Sequence, residues 1–133
     1  MNKILIVCGL LMVSSVALAQ EATTEICANG AGTVVIGKVS GHKYCKSNKT
    51  MNWWNAISWC DAQGRQSFSM DDCGCDGLKN CVGICPELVV NGSGHVWTST
   101  PNGTTKAEYV EISYGNIKHN YERGWTAYYA LCK

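Results

Sequence analysis

The sequence predicts an α+β domain in which a hairpin and one main helix precede a group of antiparallel strands. Three observations support this class. One short segment has the periodicity of an amphipathic helix, β-branched and aromatic runs lie on both sides of it, and glycine-rich turns separate those runs. A cysteine-rich segment lies between the helix and the later strands.

The first 19 residues have the composition of a signal peptide. Lys3 precedes an apolar run from Ile4 to Val13, and the alanines at positions 17 and 19 fit a small-residue cleavage site. The run is too short to span a bilayer. We therefore expect residues 1–19 to be removed, leaving one domain over residues 20–133 with no membrane span. This predicts a secreted protein that is periplasmic, extracellular or associated with a cell surface.

The charge balance argues against two classes of partner. One of the eleven basic residues, Lys3, belongs to the leader, so ten remain against ten acidic residues. A net charge near zero predicts neither a nucleic-acid partner nor binding to an anionic membrane surface.

Cysteine usage predicts a disulfide framework. Removing residues 1–19 takes away one of nine cysteines and leaves an even number, which in a small exported domain indicates paired cysteines. The count alone does not assign the pairs. The positions are Cys27, Cys45, Cys60, Cys73, Cys75, Cys81, Cys85 and Cys132.

The first predicted elements are a hairpin and a helix. Cys27 and Cys45 enclose the run TVVIGKV with glycines around it, which predicts a β-hairpin with a disulfide across its ends. Asn52 fits the N-cap of a helix and Gly64 its stop. The residues at i, i+3, i+4 and i+7, which form one apolar face, are Trp53, Ala56, Ile57 and Cys60.

Residues 69–86 are predicted to form a stapled loop. Ser69 and the aspartates that follow it favour one helical turn, but the rest shows little periodicity. In an oxidising compartment, two local disulfides are favoured over a zinc site of four thiolates. Two pairings stay open, namely Cys73–Cys85 with Cys75–Cys81, or Cys73–Cys81 with Cys75–Cys85.

The remainder of the chain is predicted to be strands. VWTST, AEYVEIS, NIKHNY and TAYYALC are short runs separated by the turn sequences PNG, YG and ERG. Trp97 in the first of these runs, like Trp53 in the helix, is expected to lie in the core. Trp54 and Trp59 lie off the apolar face of the helix and are expected to pack under the hairpin or the stapled loop.

Several of these features together resemble a C-type lectin-like domain, in particular its small bacterial secreted and pilus-associated versions. The pattern of Trp53, Ala56 and Cys60, followed by Ala62 and Gly64, is similar to the first helix of that family. The final YYALCK is similar to its last strand, and the hairpin to the one found in its long form. The resemblance covers about residues 27–132. It implies the disulfides Cys60–Cys132 and Cys27–Cys45.

The residues support the first of these pairs. Cys60 ends the apolar face of the helix, and Tyr128, Ala130 and Cys132 share one face of the last strand. A disulfide between the helix and that strand closes most of the domain into one loop, which stabilises it by roughly 4 kcal/mol in the chain-entropy model.

The departures from the family concern its calcium and sugar site. The chain has no WIGL-like strand, no Glu-Pro-Asn or Gln-Pro-Asp in a long loop, and no Trp-Asn-Asp before the final strand. The family's mid-sheet disulfide partners are also missing, and the cluster at 73–85 is additional. The resemblance therefore implies the fold without calcium-dependent sugar binding, and we expect no cofactor.

Other metal and catalytic sites are disfavoured. Clustered carboxylates bind calcium, but the candidates here lack the spacing of an EF-hand loop; they are Asp71, Asp72, Asp76 and Glu87. The histidines His42, His95 and His119 are candidate partners for a nucleophilic cysteine. Since every mature cysteine can pair, no free thiolate is expected, and no hydrolase or phosphate-loop motif occurs. We expect no enzyme, and a small hydrolase ranks last.

The predicted ligand-binding surface comprises the turns at 101–105 and 120–126. These turns carry no cysteine and combine the aromatic and hydrogen-bonding side chains that binding surfaces favour. The resemblance implies that loops leading into the final strands lie on the ligand side. The candidate residues are Asn102, Asn120, Tyr121, Arg123 and Trp125.

The functional expectation is a binding module that displays loops on a rigid scaffold and recognises a protein or a glycan. The alternative is a structural subunit of an extracellular or pilus-like surface assembly, with exposed tryptophans as contacts between subunits.

Overall fold

The computed structural model of the chain describes Cys27, residues 32–75, 81–118 and 126–133, and the backbone of 119–122. The predicted signal peptide lies outside these residues. Among the helices of the described part, none has the length and apolar character needed to cross a membrane.

The described residues form an α+β domain with one α-helix and a six-stranded sheet, as the sequence predicts. Two short 3-10 turns, Met70–Cys73 and Pro86–Leu88, lie in the cysteine-rich segment. The helix and strands are β1 Gly32–Ile36, β2 Lys43–Met51, α1 Trp53–Ala62, β3 His95–Asn102, β4 Lys106–Glu111, β5 Asn116–Glu122 and β6 Tyr128–Cys132.

The strand order is β1-β2-β6-β3-β4-β5. The expectation of purely antiparallel strands is wrong for one pair, because β3 and β6 run parallel, with Val96 opposite Tyr129. The last strand lies between β2 and β3 and pairs antiparallel with β2, where Cys132 is opposite Cys45. Local sequence patterns do not encode which strands become neighbours, so the mixed sheet was not predicted.

Helix α1 forms as its sequence signals predict. The side chain of Asn52 accepts a hydrogen bond from the backbone N–H of Asn55 at 2.9 Å and caps the N-terminus. Gly64 has a φ of +68°, the left-handed conformation that commonly follows a helix end. The predicted apolar face is confirmed, because Trp53, Ala56 and Cys60 are buried.

The central strands of the sheet contribute buried side chains on both faces. Because successive side chains of a strand point to opposite faces, the central strands supply two separate cores. The core under the helix includes Trp97, Tyr109, Ala130 and Cys132. The core under the cysteine-rich segment includes Phe68, Val96, Val110 and Leu131.

Two disulfides lie side by side where β2 meets β6. Cys27 is bonded to Cys45, and Cys60 to Cys132, with Cα–Cα distances of 5.3 and 5.4 Å. Since Cys45 and Cys132 are opposite each other in the sheet, the two bridges join the hairpin, the helix and the last strand at one place.

The cysteine-rich segment is stapled by the other two disulfides. The structure selects the pairing of Cys73 with Cys85 and of Cys75 with Cys81 from the two left open by the sequence. Cys73 and Cys85 are fully buried, so their bridge lies in the core beneath the sheet. The segment therefore serves as the third layer of the domain.

Candidate functional site

Glu87 is a buried carboxylate, 2% exposed, that holds the turn between β1 and β2. It accepts hydrogen bonds from the backbone N–H groups of Val39 and Ser40 at 2.8 and 2.9 Å. The hydroxyl of Ser40 donates to it as well, and so does that of Tyr44 at 2.7 Å. Its backbone carbonyl accepts from the N–H of Lys38 at 2.9 Å. The cysteine-rich segment and the N-terminal hairpin are therefore joined through one residue.

The close fit around Glu87 depends on a glycine. A Cβ atom at Gly37 would overlap the Glu87 carboxylate. The turn can wrap around the carboxylate only because this position has no side chain.

The hydrogen bonds determine the charge of the pair. Burial by itself raises the pKa of Glu87, but hydrogen bonds from Ser40, Tyr44 and Val39 outweigh burial, and the pKa lies below its usual value. Burial raises the pKa of Tyr44, and its hydrogen bond to Glu87 raises it further. At neutral pH the carboxylate is ionised and the phenol is protonated.

These contacts give Glu87 a structural role. It is one of the carboxylates disfavoured as calcium ligands by their spacing in the sequence, and four protein donors already bind it. Asp72 is similarly occupied by Ser69 and by the ammonium of Lys133 at 3.1 Å. Asp76 lies outside the described residues. Across the described part of the chain, no group of three potential ligands is placed to hold a metal ion.

An open depression of about 310 Å³ lies above this cluster and includes His42 and Asp71 among its lining residues. The ring of His42 lies 4.8 Å from that of Tyr44, and its backbone N–H donates to the hydroxyl of Ser40 at 3.0 Å. Ser40 donates its own proton directly to Glu87. Ser40, His42 and Glu87 therefore lack the serine–imidazole–carboxylate relay of a hydrolase.

The β3–β4 turn, which belongs to the predicted ligand surface, lies at the end of the sheet where β5 ends. Asn102 is opposite Lys106 across the turn at 103–105, and Lys106 is opposite Glu122 of β5. The turn between β3 and β4 therefore lies next to the end of β5. Asn102 is half-buried. The side chains of Asn120 and Tyr121, and all of Arg123 and Trp125, lie outside the described residues.

A polar row at the other end of the sheet was not predicted. His95, Glu111 and Asn116 are cross-strand neighbours on β3, β4 and β5. Nε2 of His95 lies 3.3 Å from Oε2 of Glu111, and the amide of Asn116 donates to Oε1 at 3.0 Å. The Asn116 hydrogen bond is the main cause that lowers the pKa of Glu111. The side chain of His95 is 38% exposed.

Aromatic rings pack beside the His95 end of this row. The ring of Tyr109 stacks on that of Tyr128 at 4.3 Å, and both lie within 5.4 Å of the His95 ring. The four-residue connection between β4 and β5 sets the register that produces the row. The spacing of Glu111 and Asn116 in the sequence is therefore a signal for the polar row. That signal can be used only when the length of the β4–β5 connection is known.

The four tryptophans at positions 53, 54, 59 and 97 differ in how deeply they are buried. Trp53 and Trp97 are buried, and their indole N–H groups donate to the carbonyls of Thr98 and Met51. Trp59 is half-buried against the helix-side core. Trp54 was expected to pack under the hairpin or the stapled loop, but it is 58% exposed, with its ring edge-on to Trp53 at 4.7 Å.

The chain matches no model of a known protein family and has no significant match among curated proteins. Its function is therefore inferred from its fold and its surfaces.

Proposed function

We propose that the protein is a secreted binding module of the C-type lectin-like type, which recognises a protein or glycan ligand without calcium-dependent sugar coordination. Two features support the family. The disulfide Cys60–Cys132 joins the helix to the last strand, and Cys27–Cys45 closes an N-terminal hairpin. Four disulfides also suit an oxidising compartment.

The observation that carries the proposal is the position of one predicted ligand turn beside the strand end from which the other begins. The register of Asn102, Lys106 and Glu122 brings the β3–β4 turn beside the end of β5. The strands that flank these turns belong to a sheet whose central strands are buried on both faces and that is held by disulfides. A scaffold of this kind fixes the positions at which its loops begin and end, which reduces the entropy lost when a ligand binds.

The test combines a glycan array with immobilised surface-protein extracts, both probed with the oxidised protein in EDTA. Trp125→Ala and Arg123→Ala should each weaken binding by about 1–4 kcal/mol, as the loss of an interface anchor does. Trp54→Ala, which also removes a tryptophan but from the exposed side of α1, is the matched control and should bind normally. If Trp125→Ala instead lowers the melting temperature while binding per folded molecule stays constant, Trp125 is a core residue and the proposed surface is wrong.

The second candidate function is a structural subunit of an extracellular or pilus-like surface assembly. The exposure of Trp54 favours it, since an exposed indole is a common anchor of a protein interface. Analytical ultracentrifugation separates the two functions. A structural subunit should self-associate as its concentration rises, and Trp54→Ala should abolish that association. A binding module should stay monomeric, and Trp54→Ala should leave its ligand binding unchanged.

A further inference from the structure

Strand β1 has one open edge. It is the outermost strand of the sheet and pairs only with β2 among the described strands. The N–H of Gly37 donates to the carbonyl of His42 at 2.8 Å, and Val35 is opposite Tyr44. Because hydrogen bonding alternates along an antiparallel strand, Val35 faces β2, and the backbone groups of Val34 and Ile36 point to the open edge.

The side chains of this edge are apolar and accessible. Val34 and Ile36 are 46% and 55% exposed. An exposed row of unpaired backbone groups with β-branched side chains is a template for pairing with another strand.

A groove runs beside this edge. It has a volume of about 660 Å³, and its opposite wall is formed by Val89, Val90 and Asn91, with Ser113 also lining it. The backbone of β1 and the turn that follows it form the near wall. One wall is thus a strand edge whose hydrogen-bonding groups point outward, and the other presents two valines beside the polar residues Asn91 and Ser113.

The two walls are held in place by contacts already described. Glu87 precedes Val89 by two residues, and its carboxylate and carbonyl bind the turn at the end of β1. The disulfide between Cys73 and Cys85 anchors the same segment in the core. The groove is therefore preformed, which lowers the cost of filling it.

The charge of the groove indicates what fits it. Among the described residues that line it, Lys38 is the one that carries a charge. Within the described part of the chain, Lys38 makes no ion pair through its side chain. A ligand with a carboxylate at this end of β1 complements the groove.

We propose that the groove binds an extended peptide segment of a partner protein with apolar side chains at alternate positions, which adds to β1 as an antiparallel strand and places an acidic residue near Lys38. The five residues of β1 span about 17 Å, which sets the length of the segment at about five residues. Backbone hydrogen bonds to Val34 and Ile36 hold the peptide, and alternate side chains meet the apolar wall. An antiparallel strand has its N-terminal end beside Lys38, so the acidic residue comes first.

Charge favours such a segment over a second copy of the protein. A second copy would give Lys38 no acidic partner in the groove, because none of the described residues that line it carries a carboxylate. This surface lies on the outermost strand at β1, whereas the proposed ligand turns follow β3 and β5. The inference is therefore independent of the proposed function.

The probe is a peptide of sequence acetyl-Asp-Val-Thr-Val-Thr-Val-amide, and binding to the full oxidised chain is measured by calorimetry. A peptide with Lys in place of Asp is the charge control. We expect the Asp peptide to bind at least tenfold more tightly than the Lys peptide. Lys38→Glu should reverse that preference, whereas Lys49→Glu, at an exposed position of β2, should not.

The backbone contribution is tested with Ile36→Pro. Proline removes an N–H that points to the open edge, and edge strands tolerate it because no ladder hydrogen bond is lost. This variant should melt like the parent and bind the Asp peptide at least tenfold more weakly. The proposal would be overturned if both peptides bind equally well or if Ile36→Pro binds the Asp peptide as tightly as the parent does. A dimer of the parent protein that Ile36→Pro dissociates would also overturn it.

Discussion

The hydroxyl of Tyr44 donates a hydrogen bond of 2.7 Å to the carboxylate of Glu87, which lies 43 residues further along the chain. Tyr44 belongs to β2 and Glu87 to the 3-10 turn that follows the stapled cysteines. The contact joins the hairpin layer to the cysteine-rich layer by a charged hydrogen bond that is shielded from water. Such bonds are stronger than those between neutral groups.

The first prediction concerns the loss of this carboxylate. Glu87→Ala should destabilise the protein by about 3 kcal/mol or more, because one buried donor and three partly buried donors lose their acceptor at once. Urea unfolding measures the change. Tyr44→Phe removes a single hydroxyl and should cost about 1–2 kcal/mol, while Asp61→Asn on the exposed side of α1 serves as the surface control. Equal stability of Glu87→Ala and Asp61→Asn would show that the cluster contributes nothing.

The second prediction concerns acid. The pKa of Glu87 is lowered in the folded protein, whereas the unfolded chain has a glutamate pKa of about 4.3. The folded state therefore binds fewer protons between these two values, and stability rises with pH in that window. The contribution is complete above the unfolded pKa and is lost as pH falls through the folded pKa.

This dependence is measured by urea unfolding from neutral pH to pH 2.5. The parent protein should lose more stability than Glu87→Gln over this range, because the variant has no carboxylate to protonate at this site. Parallel curves for the two proteins would contradict the prediction.

The third prediction compares the neighbouring indoles of α1. Trp53→Ala should destabilise the domain by about 3–5 kcal/mol, as the truncation of a large core side chain does. Trp54→Ala should change stability by about 0.5 kcal/mol or less, since its side chain is mostly exposed. Thermal melts followed by circular dichroism test both. A similar loss in the two variants would place Trp54 in the core.

The fourth prediction concerns the disulfides. Peptide mapping without reduction should recover four linked pairs, which are Cys27–Cys45, Cys60–Cys132, Cys73–Cys85 and Cys75–Cys81. Replacing both Cys60 and Cys132 by alanine should destabilise the domain by roughly 4 kcal/mol, because their bridge closes the longest loop. A free thiol on Cys60, or a fragment linking the 73–85 segment to Cys132, would refute this arrangement.

The fifth prediction concerns calcium. The sugar-linked calcium motifs are missing from the sequence, and Glu87 is engaged with protein donors. A chelator should therefore leave folding and ligand binding unchanged. A rise of several degrees in the melting temperature with millimolar calcium would count against this, since selective binding to the native state must stabilise it.

The features that the sequence predicts are those encoded by neighbouring residues. Asn52 and Gly64 bound the helix by local capping chemistry, and the helix period assigns Trp53 to the core. The parallel contact between Val96 and Tyr129 joins strands that are distant in sequence, and no local pattern specifies it.

The role of Glu87 was missed for the same reason. Glu87 follows a segment rich in aspartate and cysteine, and such a composition is typical of a surface or a metal-binding segment. Its partners Ser40 and Tyr44 lie more than 40 residues away, so only the folded chain reveals that the carboxylate is buried and satisfied. In the candidate site, the composition of the two turns suggested a ligand surface. The position of the β3–β4 turn beside the end of β5 follows from the strand register, which the sequence does not give.

The adjacent bridges at β2 and β6 also determine how the domain carries tension. A force applied at Cys27 and at the C-terminal Lys133 crosses the first disulfide to Cys45, follows the backbone to Cys60 and leaves across the second disulfide. Only the stretch between Cys45 and Cys60 can lengthen, by roughly 50 Å at most. The backbone from 61 to 131 includes both proposed ligand turns and lies outside this line of tension. A pulling force would therefore not stretch the part of the chain that binds the ligand.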